Sequence, residues 1–98
     1  MANKKQIDLL RQNVEGWNKL KKENPLINFD LSGADLSGAN LREADLREAD
    51  LFGANLREAS IYRADLSEAD LNEANLTNVS IGRTIFGNNN LRNIIGLE

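Results

Sequence analysis

From Leu31 to Leu91 every fifth residue is large and apolar, and this beat constrains the fold more than anything else in the chain. Thirteen centres obey it: Leu31, Leu36, Leu41, Leu46, Leu51, Leu56, Ile61, Leu66, Leu71, Leu76, Ile81, Phe86 and Leu91. Two residues before each centre from Leu36 to Leu76 stands an alanine, from Ala34 to Ala74 without a break, and the residue between them is Asp, Asn or Ser. A period of five fits neither the helical repeat of about 3.6 nor the strand alternation of about two. A repeat architecture, in which each unit buries its apolar residue against the next, is what such a period requires.

Composition narrows the chemistry. The 98 residues have room for one domain, and they include no cysteine and no histidine. A disulfide framework, a thiolate nucleophile, an imidazole base and a Cys/His zinc site are therefore excluded. The chain opens MANKKQ without an apolar signal region, and no apolar run reaches membrane-spanning length, so a cytoplasmic protein with no membrane span is expected. Charge is unevenly spread. Residues 1–28 carry six bases against three acids, whereas residues 29–98 carry twelve acids against six arginines.

The units ADLSG, ANLRE, ADLRE, ADLFG and ADLNE resemble the pentapeptide-repeat family, whose pattern is A-[DN]-L-x-x. The resemblance covers about two thirds of the chain and implies an all-β solenoid, a right-handed quadrilateral parallel β-helix. In that architecture each unit forms one side, four sides make one coil, and the centre and the small residue two before it point inward. It also implies a family abundant in cyanobacteria. The residues themselves agree with this arrangement. Alanine suits a place where a larger side chain would compete with leucine for core volume, and coils stacked ~4.8 Å apart would share parallel-sheet hydrogen bonds.

A weaker period of twenty supports four units per coil. Ile61 and Ile81 lie twenty apart, each preceded by serine; Asp30, Asp50, Asp70 and Asn90 form a second column, and Glu43, Arg63 and Arg83 a third, with Glu43 beside Arg63. Thirteen centres then make about three coils, a stub ~15 Å tall whose ends matter to its stability.

Three segments follow: an N-terminal capping helix with its lead-in (1–28), the β-helix (29–93) and a C-terminal tail (94–98). Asn3 and Gln6 open a predicted helix over residues 4–23, and Pro25 stops it. Ile7, Leu10, Val14 and Trp17 share one face of that helix, while Gly16 lies on the other. Leu26, Ile27 and Phe29 lead into the first coil, Phe29 taking the inward slot that alanine occupies later. The helix serves either as a lid over the Leu31–Leu46 end or as a basic amphipathic surface toward an anionic membrane or a partner. At the far end Val79 and Thr84 replace alanine, and Ile94, Ile95 and Leu97 either fold over the last coil or leave an end open. The family resemblance implies an end-to-end homodimer through the C-terminal coil as one outcome.

No catalytic, cofactor-binding or metal-binding residue is assigned, and the chain is read as not an enzyme with no cofactor. The aspartates occupy a position where Asp and Asn interchange, as expected of side chains that bond nearby backbone at corners. The column Asp30, Asp50, Asp70 reads as a solvated face. Two glycosylation sequons, at Asn75 and Asn78, are incidental without a secretory signal. The functional reading is a non-catalytic protein-protein interaction or structural module of unknown protein partner. Its candidate contact residues are Phe52 and Tyr62, expected on adjacent sides, with Trp17 as a third. Two alternatives stand beside it. One, taken from the family, is an acidic DNA mimic that binds DNA gyrase; the other is a fragment or module of a larger repeat protein. Direct nucleic-acid binding is not expected, because no basic stripe marks the repeat.

Overall fold

The computed structural model describes residues 2–87 and 93–96. Helix α1 spans Lys4–Gln12 and helix α2 spans Val14–Glu23. The expected single helix is thus broken at Asn13, whose φ of −152° and ψ of 84° lie outside the helical region. The Asn13 side chain makes the break. Its Oδ1 accepts from the N–H of Gly16 at 2.9 Å, capping α2, while its own N–H closes α1 on the Leu9 carbonyl. Gly16 leaves room for this contact, since a Cβ there would stand 2.8 Å from the Asn13 amide nitrogen. At the start of α1, Asn3 Oδ1 accepts from the N–H groups of Lys5 and Gln6.

Beyond Phe29 the backbone returns to register every twenty residues. Parallel bridges join Asp30, Asp50 and Asp70, then Asp35, Asn55, Asn75 and Ile95, then Asn40, Ser60 and Ser80, and finally Asp45, Asp65 and Ile85. These four ladders, offset by five residues, coincide with the twenty-residue columns of the sequence; Asn90 and Leu91 lie outside the described residues. In each bridge two main-chain bonds alternate: Leu31 N–H donates to the Asp50 carbonyl at 2.7 Å, and Asp50 N–H to the Phe29 carbonyl at 3.1 Å. One ladder runs past residue 93 into the expected tail, where Ile95 exchanges bonds with Ala74 and Leu76.

From Leu31 to Ile81 every unit turns the same way. The centre's carbonyl accepts from the N–H three residues on, as Leu31 does from Ala34 at 3.0 Å, and the residue two after the centre has positive φ. That is the pattern of a type II turn, which favours glycine at this position. Gly33, Gly38 and Gly53 supply it, but glutamate does so at Glu43, Glu48, Glu58, Glu68 and Glu73.

The turns aim centres and alanines at one axis. Leu31 through Leu76 are at most 1% exposed, and Ala34 through Ala74 at most 5%. Phe29 is buried in the alanine register as expected, its ring 5.1 Å from that of Trp17. The stack does not continue to its expected end. Ile81 is 39% exposed and Phe86 only half-buried. Leu26, which stands on the five-residue beat, is 95% exposed, and Ile27 is exposed with it. Trp17 fills the interior that Leu26 would have entered.

The head is bound to the coil through the edge nearest it. Extrapolating the ladder bonds backward, the carbonyls of Asp35, Ser37, Asp45 and Arg47 would each receive an N–H from a preceding coil. Side chains of the helices supply those donors. Arg11 Nη1 donates to Asp35 and Ser37 at 3.0 and 3.1 Å, Trp17 Nε1 to Asp45 at 2.8 Å, and Lys21 Nζ to Arg47 at 2.6 Å. Asn18 completes the set, accepting from the Asp45 N–H at 2.7 Å and donating to the Glu43 carbonyl at 3.0 Å.

Candidate interaction surface

The outward positions of each unit are the residue before the centre and the two after it. The first of these is committed to the backbone. In nine units the Asp or Asn Oδ1 accepts from the N–H two residues on, at 2.9–3.3 Å, from Asp30 with Ser32 to Asn75 with Thr77. This is an Asx turn, for which Asp and Asn serve equally well. The expectation that these side chains bond backbone at the corners is met. Hydrogen bonds from the Ser37 hydroxyl and N–H hold the Asp35 carboxyl below the ordinary carboxylate value. Asp45 is lowered by a two-pronged bond from Arg47, 2.9 and 2.8 Å long, which raises the guanidinium in turn. Carboxylates held in the ionised form, accepting from their own turns, shape the corners of the coil. Among the described residues no cluster of acids is placed to hold a metal ion.

Display therefore falls to the two positions after each centre. Tyr62 is the most built of them. The Arg42 guanidinium lies 5.1 Å from its ring centroid and that of Arg63 5.6 Å, both within cation–π range. On the next coil Gly82 leaves room for the ring, since a Cβ there would stand 3.0 Å from it. Glu43 and Arg63 are neighbours along their column, where Glu43 N–H donates to the Tyr62 carbonyl at 2.9 Å. Phe52 is 42% exposed. It does not lie on the side adjacent to Tyr62: the Asp50–Asp70 and Ser60–Ser80 ladders are two ladders apart of four, which puts the two aromatics on opposite faces.

Trp17, the third candidate, offers no contact surface. It is fully buried, with its one polar atom bonded to Asp45. A groove of about 580 Å³ runs beside it, between α2 and the coil, lined by Asn18, Lys21, Lys22, Asp45, Arg47 and Glu48 among others. Its charges are of both signs. Burial lowers the Lys21 ammonium's pKa, with Phe29 5.5 Å below it. The roles of Arg11, Asn18 and Lys21 were not legible in the sequence, because their partners are main-chain atoms 24–27 residues away. The arginines around Tyr62 left a signal: Arg42 and Tyr62 stand one twenty-residue period apart.

A profile described as "Pentapeptide repeats (8 copies)" matches residues 30–67 and 49–88, the stretch that forms the ladders. The chain belongs to the pentapeptide-repeat family. Among solved structures it is similar to a pentapeptide repeat protein, Rfr23, from the cyanobacterium Cyanothece 51142, with 32% identity over 70% of this chain and 54% of that one, and a TM-score of 0.47. A pentapeptide repeat protein from the Arabidopsis thaliana thylakoid lumen shares 30% identity over 70% of this chain and 55% of that one, with a TM-score of 0.34. HetL, a pentapeptide repeat protein involved in heterocyst differentiation regulation from Nostoc sp. strain PCC 7120, shares 25% over 89% and 44%, with a TM-score of 0.42. This pentapeptide-repeat chain spans about half the length of each. No match was found among curated proteins. Among its described residues no helix is long and apolar enough to cross a membrane.

Proposed function

We propose that this pentapeptide-repeat protein is a non-catalytic interaction or structural module, a right-handed quadrilateral β-helix of about three coils whose N-terminal end is closed by α1 and α2. The observation that carries the reading is the division of labour along each unit. Nine Asp and Asn side chains are spent on Asx turns, while the residues that vary in chemistry stand outward on a rigid frame. The capping role rests on Arg11, Trp17, Asn18 and Lys21, which satisfy the edge that a preceding coil would otherwise cover. Terminal caps of this kind are what a repeat stack needs for solubility.

Interaction with a protein is favoured over mimicry of DNA by the distribution of charge, since one face of the coil is basic and the acids are not continuous around it. The test is an affinity pull-down comparing the wild type with a Phe52→Ser, Tyr62→Ser double variant. Both substituted side chains stand outside the core, so circular dichroism should be unchanged. Loss of a captured partner in the variant supports the reading, and an identical partner set removes these two faces as the contacts.

A further inference from the structure

The four ladders sort the outward charges into faces of opposite sign, and in doing so gather a basic row that the sequence reading did not expect, because its arginines lie about twenty residues apart. On the face of the Asn40–Ser60–Ser80 ladder no ladder residue is charged, and the two positions after each centre hold Arg42, Arg63 and Arg83 against Glu43 alone. Half a coil away, the face of the Asp30–Asp50–Asp70 ladder holds Asp50 and Asp70, whose Oδ1 atoms accept from their own turns, and Glu73, with no lysine or arginine among the described residues. Tyr62 stands at the middle of the basic face and Phe52 at the middle of the acidic one.

We propose that the coil docks side by side with a second copy of itself, the arginine face of one copy against the aspartate face of the next. This rests on the interaction-module reading and names its partner. Three observations favour a second copy as the occupant. The faces are complementary in charge. They also share one pitch, because the rows Arg63–Arg83 and Asp50–Asp70 are both spaced by the same coil repeat, ~4.8 Å, so charges stay in step when two axes lie parallel. Finally, the basic face is held in place before docking: Arg42 and Arg63 rest 5.1 and 5.6 Å from the Tyr62 ring centroid, over the space left by Gly82, which reduces the side-chain ordering that binding must impose.

The docking is heterologous. Each copy uses one face and leaves the opposite one unoccupied, so association does not stop at two. An end-to-end pair through the exposed Ile81, Ile85 and Ile95 would instead close as a dimer and would not depend on the arginines. Sedimentation equilibrium over a range of protein concentrations distinguishes them, at about 10 mM and about 300 mM salt, where the screening length falls from ~30 Å to below ~10 Å. At low salt the average mass should climb past the dimer as concentration rises, and at high salt it should return to the monomer. An Arg63→Glu, Arg83→Glu variant should remain monomeric at low salt. So should Asp50→Asn, Asp70→Asn, Glu73→Gln, in which asparagine keeps the Asx turns. Circular dichroism confirms that each variant is folded.

A monomer at every concentration in low salt overturns the proposal, as does a mass that halts at the dimer, or self-association that survives either set of substitutions. None of these touches the module reading, whose Phe52 and Tyr62 contacts are tested separately by the pull-down.

Discussion

Trp17 Nε1 donates to the main-chain carbonyl of Asp45 at 2.8 Å, taking the acceptor that the twenty-residue register assigns to the N–H of Leu26. A side chain from the head thus stands in for a missing turn of backbone, and its ring fills the core while Leu26 is left in solvent. Trp17→Ala should cost ~3–5 kcal/mol, the range for deleting a buried aromatic. Trp17→Phe keeps most of the apolar volume and loses the donor, so ~1–2 kcal/mol is expected. Urea melts of the two variants check this; a Trp17→Phe loss near zero would mean that the hydrogen bond contributes nothing.

The alanines set the bore of the coil. Ala54, Ala64 and Ala74 are fully buried between leucine rows, with no room for growth. Ala64→Leu should destabilise by ~1–3 kcal/mol through overpacking, and Leu56→Ala by ~2–5 kcal/mol through the cavity it leaves. Where the stack thins, Val79 already occupies the alanine register and is only half-buried. Val79→Ala should therefore fall below both. A Val79→Ala loss as large as that of Leu56→Ala would contradict the burial gradient.

Much of this was legible in the chain. The beat of five gave the buried rows, and Asp alternating with Asn pointed to turns rather than to acid–base chemistry. Both signals recur in most units, so the units corroborate one another. The head offered no such redundancy. Ile7, Leu10, Val14 and Trp17 keep helical spacing across Asn13, and the apolar pattern therefore hid a break made by one amide side chain. The opposite placement of Phe52 and Tyr62 follows from counting ladders, since ten residues are half a coil of twenty. The exposure of Leu26 was not legible, because register alone would place it inside and only the competition with Trp17 for the same volume puts it out.

Glutamate at a left-handed position is the least expected local feature. Glu68 has φ of 61°, in the register that Gly33, Gly38 and Gly53 fill at 65–66°. An L-residue there pays ~1–2 kcal/mol in steric strain, whereas glycine escapes the strain but gains entropy in the unfolded chain, worth ~0.4–1 kcal/mol. The terms nearly offset, and Glu68→Gly should lie within ~1 kcal/mol of the wild type on the stabilising side. Glu68→Val, β-branched and disfavoured at positive φ, should destabilise by ~1–3 kcal/mol. Chemical melts with unchanged slope read both values, and a valine variant as stable as the glycine one would show that the turn relaxes to another conformation.

Acid should loosen the coil before alkali does. Asp35 and Asp45 titrate below the usual 3.8 when folded, the first through its bonds from Ser37 and the second through Arg47. A carboxyl whose folded pKa is depressed adds stability that is present above the unfolded pKa and vanishes as pH falls through the folded one. The melting temperature should therefore be level from about pH 7 to about pH 5 and decline below about pH 4. Asparagine at Asn40, Asn55 and Asn75 makes the same turn without titrating, accepting from Arg42, Arg57 and Thr77 at 3.3, 3.1 and 3.0 Å. An Asp35→Asn, Asp45→Asn variant should keep the neutral-pH fold and show a shallower acid decline in thermal melts. An acid limb as steep as the wild type's would place the sensitivity in other carboxylates and leave these two turns without an electrostatic share in stability.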